Sequence, residues 1–175
     1  EDIGGGGRYS IFAPNSIASA EFSPGGWSAA YGGRSGSLLK LDVAGGNPTP
    51  SASMRVDIAG LELGYEGPSG IHDDTTVFLT ARQFDFGRVF DLIGEEDIGQ
   101  PELTDIVLKT VTSLDPDNTI EFLGVYAPEE YTRDIDNVLE SPDFEDVSLI
   151  DTDQDLYLTA LTWRRLVGVN GEWTN

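Results

Sequence analysis

The stretch Thr104–Tyr126, TDIVLKTVTSLDPDNTIEFLGVY, sets two runs rich in β-branched and aromatic residues around the turn tetrad DPDN (Asp115–Asn118). Pro and Asn beside two Asp are turn-formers, so the spacing predicts two antiparallel strands, Thr104–Leu114 and Thr119–Tyr126, joined by a tight hairpin. The second strand places Ile120 and Phe122 on one side but Leu123 and Val125 on the other, the pattern of a strand covered on both faces. Further strands carry the same signals at Thr76–Phe86 and Gln154–Val167, with a last one starting at Trp173. In SMRVDI, Met54, Val56 and Ile58 share a side; after Gly60 the apolar set becomes Leu61, Leu63 and Tyr65, which predicts a bulge or tight corner at Ala59–Gly60. No segment after Ser53 sustains a 3.6-residue period over ten residues, so this region reads as all-β.

The connections sort by length. GPSGIHDD near residues 67–74, DPDN, and GVNGE (Gly168–Glu172) are short; the segments from about 87 to 103 and from 127 to 153 are long. Six acids and no base lie between Asp91 and Asp105, and eleven acids against Arg133 alone between Ala127 and Asp155. A meander with tight turns at one end and long acidic loops at the other is the pattern of a transmembrane β-barrel wall.

Composition bounds the possibilities. Among 175 residues, 31 acids against 10 bases give a formal net charge of −21. Such a surface as a whole repels nucleic-acid phosphates and anionic lipid headgroups, which argues against a nucleic-acid partner and against a peripheral basic-patch role. Zero cysteines remove disulfides, thiol nucleophiles and cysteine-ligated zinc. The chain opens on Glu1, which predicts either a processed leader or a start inside a longer protein.

The first 50 residues are different in kind: four acids, three bases and 11 of the 21 glycines. GGGG (Gly4–Gly7) predicts a flexible or tightly turned start, and RYSIFAP a short strand. In NSIASAEFSPGG, Asn15 or Ser16 is placed to cap one helical turn before a strand holding Glu21 and Phe22. SLLKLDV is a further strand, with Leu39, Leu41 and Val43 on one side. The whole is a small mixed α/β unit, separated by GGNPTPSAS (Gly45–Ser53) from the strand-rich remainder of the chain.

Chemistry-bearing constellations are weak. DTDQD places Asp151, Asp153 and Asp155 at alternate positions like the opening of a calcium loop, but Leu156 stands where Gly is needed and Thr162 where a bidentate Glu belongs; a solvated acidic loop running into a strand is favoured. His72, the single histidine, sits in a polar turn with no nucleophile motif. Glu95–Asp97 and Pro128–Glu130 supply adjacent acids without an apolar pocket to raise a pKa. GGGG and YGGRSG lack the Lys-Ser/Thr ending and the spacing of phosphate loops. No enzyme activity and no cofactor are expected. Tyr65, Tyr126, Trp163 and Trp173 lie near strand ends, where an aromatic girdle sits.

The run IASAEFSPGGWSAAYGGRSGSLLKLDV resembles the C-terminal half of the plug domain of TonB-dependent outer-membrane receptors, through Glu21-Phe22, Pro24-Gly25-Gly26, Tyr31-Gly32 and the final strand. EGP (Glu66–Pro68), TARQFDF (Thr80–Phe86) and Thr104–Tyr126 look like the opening strands of that family's barrel. The resemblance implies a plug part at 1–47, a linker at 48–53 and, at 54–175, the first strands of a barrel that in the family has about 22; the chain is then a fragment. It implies a plug motif of Gly25, Gly26, Tyr31, Gly32, Gly33, Arg34 and Gly36, with Gly32, Gly33 and Gly36 packing closely on the barrel wall and Arg34 paired with Glu62 or Asp85. It implies a place in the outer membrane of a Gram-negative bacterium, in contact with its lipid, and import of an extracellular ligand (a metal chelate, vitamin or oligosaccharide) driven by TonB. The competing expectation is a soluble, secreted β-sandwich that binds carbohydrate or calcium through its acidic loops.

Overall fold

The computed structural model describes residues 12–28, 31–32, 36–94, 100–133, 150–168 and 171–174. It is mainly β and antiparallel throughout. Strands β1 (Ile17–Ser23) and β2 (Leu38–Val43) form a two-stranded sheet. Seven more, β3 (Ser51–Val56), β4 (Gly60–Pro68), β5 (Thr75–Asp85), β6 (Gln100–Asp115), β7 (Asn118–Arg133), β8 (Ile150–Val167) and β9 (Gly171–Thr174), pair in sequence order as one meander. β3 and β9 are its two edges. The described hairpin turns obey their chemistry: Asp115 accepts from the Asp117 amide at 2.9 Å and from Asn118 Nδ2 at 2.8 Å, and Asp57 Oδ1 accepts from the amides of Ala59 and Gly60.

Several local expectations need correction. The helical turn expected near Asn15 is a 3₁₀ turn at Pro14–Ser16, started by Ala13, with strand from Ile17 onward; Ser16 Oγ donates back to Ala13 O at 2.7 Å, the bond that makes the turn tight. β3 begins at Ser51, inside the stretch read as linker. The expected all-β region holds a helix, α1 (Gly87–Ile93), closed by Gly94 in the left-handed region at φ 74°. Two turns are too short to show a period in sequence. The expected strand RYSIFAP and the GGGG opening lie largely outside the described residues; Phe12 and Ala13 are not in a strand.

Register decides what each strand shows. Row by row, Arg55, Glu62, Arg82 and Asp105 stand side by side, and so do Thr80, Val107, Val125 and Leu158, and Phe78, Lys109, Leu123 and Ala160. Alternate rows on the opposite face read Met54, Leu63, Ala81, Ile106, Tyr126, Tyr157, and then Val77, Thr110, Phe122, Leu161. One face therefore carries charge, and the other is apolar. The buried residues sit on the charged face: Val107 is fully buried, as are Glu62, Arg82 and Asp105 to within a tenth of their surface. The apolar face is the open one, with Met54 70%, Tyr157 68% and Leu161 72% exposed.

The β1–β2 unit covers part of the charged face. Val43 joins Phe78, Val107 and Val125 in the one cluster of buried apolar residues among those described, with Phe12, Ala44 and Leu123 against it. That explains why the strand from Thr119 is apolar on both sides: Leu123 and Val125 meet this unit, while Ile120 and Phe122 face outward. The chain enters β3 close over β5, because Gly46 has φ +82° and a Cβ there would lie 2.5 Å from Val77 O.

Val107→Ala should cost about 2 kcal/mol in denaturant unfolding, the range for removing buried methyls without collapse of the site. Gly46→Ala should lower stability clearly, whereas Gly32→Ala, at a site with open space around it, should leave it within error; equal effects would contradict the close approach.

Candidate functional site

The contact zone between the β1–β2 unit and the charged face holds most of the buried polar chemistry in the described residues. Asn15, carried by the 3₁₀ turn, donates Nδ2–H to Glu62 Oε1 at 2.7 Å. Lys109 on β6 donates to Val43 O at 2.9 Å, and Thr76 on β5 donates to Gly45 O at 2.8 Å. These three bonds and the small apolar cluster hold the unit to the sheet.

Beneath Asn15, Arg82 Nε pairs with Asp105 and its guanidinium lies 5.3 Å from the Phe84 ring centroid. Arg55 approaches the other oxygen of Glu62 at 4.0 Å. Glu62 Oε2, Thr80 Oγ1 and Asp105 Oδ1 are buried without a hydrogen-bond partner. Alternation positions these groups: each is the polar residue of a strand whose neighbours along the chain face the other way. Nearer the short turns a second chain of ion pairs crosses four strands, with Lys109 to Glu121 at 3.1 Å, Arg164 to Glu121 at 3.3 Å and Arg164 to Glu172 at 2.9 Å. A cavity of about 130 Å³ opens beside it, between Val43 and Asp42 on one side and Lys109, Glu121 and Thr162 on the other. Chemically, such a zone fastens two parts by polar contacts that separate at modest cost, because each fastening bond is worth only about 0.5–1.5 kcal/mol net.

The residues singled out from sequence fare differently. Gly33 and Arg34 lie outside the described residues, and so does Glu95–Asp97. Of the two acids named as Arg34's partners, Glu62 accepts from Asn15, and Asp85 pairs with Arg88 at 2.8 Å. Tyr31, Gly32 and Gly36 are in the exposed β1–β2 connection. A Cβ at Gly25, Gly26, Gly32 or Gly36 would have no atom within 4 Å, so the close packing expected of Gly32 and Gly36 is not made among the described residues. Gly26 is required for another reason, its φ of +75°. The close approaches fall instead at Gly46 and at Gly60, where a Cβ would collide with Gln83 O.

Asp151, Asp153 and Asp155 stand in β8 rather than in a loop. Extension spreads them about 6.6 Å apart along one face, and among the described residues no group of three His, Cys, Asp or Glu is arranged to hold a metal ion. Asp155 accepts from Tyr126 OH at 3.2 Å instead. His72 caps its own turn, its Nδ1 accepting from the Asp74 amide at 3.2 Å. Sequence reasoning named Glu62 only as a partner for Arg34 and missed Arg82, Asp105 and Lys109 as a set. The available signal was a charge at alternate positions of strands whose other positions are apolar.

Arg82→Leu should destabilise the protein by about 3–5 kcal/mol, since it strands buried Asp105; the double change Arg82→Leu with Asp105→Leu should recover most of that loss in a double-mutant cycle. In the β1–β2 unit, the Ser19 hydroxyl, 2.7 Å from Asp42 Oδ2, holds that carboxyl below its usual 3.8. The stabilisation is then present above pH 3.8 and is lost as pH falls through the lower folded value. Ser19→Ala should remove this part of the acid limb, read as a difference in unfolding midpoint from wild type that vanishes in stronger acid.

Compared with known protein families, curated proteins and solved structures, the chain matches none, and what it does has to be read from this geometry.

Proposed function

We propose that this chain is part of a TonB-dependent outer-membrane receptor, with residues 1–47 belonging to the plug and the seven-stranded sheet to the barrel wall. The observation that carries the reading is the inverted sheet: charge on the covered face, and an uncharged apolar band on the open one. On β8 that band runs from Asp155 to Arg165 through Tyr157, Thr159, Leu161 and Trp163. Ten residues at about 3.3 Å span roughly 33 Å along the strand, and a tilt of about 40° reduces this to roughly 25 Å, the height of the apolar band of outer-membrane barrels. In water the same band is an apolar surface with no cover.

Two aromatic pairs bracket the band. Tyr126 and Tyr157 stack at 4.7 Å on the side of the acids Glu130, Asp153 and Asp155; Trp163 and Trp173 meet edge-on at 5.2 Å near the short turns. By pairing order the connections 69–74, 116–117 and 168–170 lie at one end, and the two long ones, 86–99 and 134–149, lie at the other together with the short turn at 57–59. A bilayer leaves no edge unpaired, so in this reading β3 and β9 are continued by further strands of the barrel. The β1–β2 unit then lies in the lumen, fastened through Asn15, Thr76 and Lys109, where a pull transmitted by TonB releases it and opens a path for an extracellular ligand. No covalent chemistry is involved.

The test is a charge placed on the open face. Leu161→Arg should abolish or strongly reduce recovery of the full-length protein in urea-washed outer membranes, because a cation at mid-bilayer costs about 2–4 kcal/mol. Wild type should be recovered there in full. A wild-type protein found in the soluble fraction, binding calcium or glycans, with Leu161→Arg equally soluble and stable, would replace this reading with the secreted sandwich.

A further inference from the structure

Arg165 stands out in a chain of 31 acids and 10 bases. Lys40, Arg55, Arg82, Arg88, Lys109 and Arg164 each have a carboxylate within 4 Å; among the described residues whose side chains are placed, Arg165 is the one cation with no such pair. By register it lies opposite Asn118 and Trp173, on the apolar face, at the end of the uncharged band. Asp115 is close enough to feel the charge of Arg165 but spends its oxygens on Asn118 and the Asp117 amide, and neither Asp115 nor Asp117 comes within ion-pair distance of the guanidinium.

Around Arg165 an open groove of about 740 Å³ is lined by Trp163, Trp173, Leu166, Val167 and Asp117. The Trp pair is held in place, since Trp163 Nε1 donates to Asn118 Oδ1 at 3.3 Å and Trp173 meets it edge-on. A guanidinium beside two fixed indoles, at the boundary between an apolar band and a polar turn, matches one chemistry well. Indoles sit at headgroup depth, and the planar fork of Arg binds phosphate oxygens bidentately.

We propose that Arg165, Trp163 and Trp173 form a binding site for the phosphodiester headgroup of a membrane phospholipid, in the leaflet at the short-turn end of the sheet. The site rests on the membrane reading and adds to it a defined lipid contact. With Asp117 in the groove, one guanidinium supplies too little attraction to hold inorganic phosphate, and the headgroup binds only with the help of its chains. A phospholipid brings acyl chains that lie along Leu161 and Phe122 on the adjoining open face, and their burial supplies the remaining affinity.

The experiment uses the full-length protein extracted from outer membranes in mild detergent, exposed to dioleoylphosphatidylglycerol, with bound lipid counted by native mass spectrometry. Wild type should retain lipid, and Arg165→Gln should weaken retention by roughly tenfold, the factor for one lost charge-assisted bond. Arg165→Lys should fall between them, and Trp173→Leu should weaken retention while leaving the fold intact by circular dichroism. Excess inorganic phosphate should not displace the lipid. Equal retention by wild type and Arg165→Gln, in protein that still fractionates with the membrane, overturns the headgroup site and leaves the membrane reading standing. Displacement by phosphate overturns the lipid as occupant. A wild-type protein absent from the membrane fraction overturns both.

Discussion

Antiparallel pairing carried across seven strands, with a shift only between Ser113 and Asp115, commits every residue of the sheet to one of two faces. A slip of one residue in any strand would exchange its faces. Because the register holds, Glu62, Arg82 and Asp105 meet in one row although they are 20 and 23 positions apart in the chain. The same pairing leaves Met54, Leu79, Phe122 and Leu161 on a face with no charge in its middle. Desolvation of the row and exposure of the band are thus two results of one constraint.

The β1–β2 unit depends on that arrangement. Its apolar contribution is small, Val43 with Phe12 and Ala44, and its remaining hold is polar. Asn15, Gly45 and the Val43 carbonyl find partners only because Glu62, Thr76 and Lys109 point to the same side from three neighbouring strands. A unit held this way is seated specifically but not deeply, since each bond contributes little net. The buried oxygens of Glu62, Thr80 and Asp105 that lack partners make the underlying row the most sensitive part of the zone, because low dielectric magnifies both satisfied and unsatisfied groups.

The two ends of the sheet differ in charge for reasons visible along single strands. Glu130, Asp153 and Asp155 close the apolar face at the long-connection end, and Arg165 closes it at the short-turn end. Aromatic pairs stand just inside each boundary. The face is thus uncharged only in its middle, with acids at one end and a cation at the other.

The short turns were legible in the sequence because turn chemistry is local: DPDN, the corner at Ala59–Gly60 and the Gly-rich breaks act within four residues. The far ends of the strands were not, since β6, β7 and β8 run on to Gln100, Arg133 and Ile150, into stretches that read as acidic loops. The mainly β, antiparallel character comes from them together with the absence of a sustained helical period. The helix at Gly87–Ile93 was not legible, being too short for periodicity, and neither was strand character at Ile17–Ala20, where pairing with Leu41–Val43 outweighs a capping signal. The glycines of the β1–β2 connection show the same limit. Their number suggested close packing, but only tertiary structure shows open space around Gly32 and Gly36 and places the true close approaches at Gly46 and Gly60. Alternation alone established that each strand has two unlike faces. Which face is covered, which charges share a row, and that Arg165 stands beside the Trp pair with no carboxylate within 4 Å were decided by pairing between strands distant in sequence, since a side chain's neighbours across a sheet are set by register and not by its position along the chain.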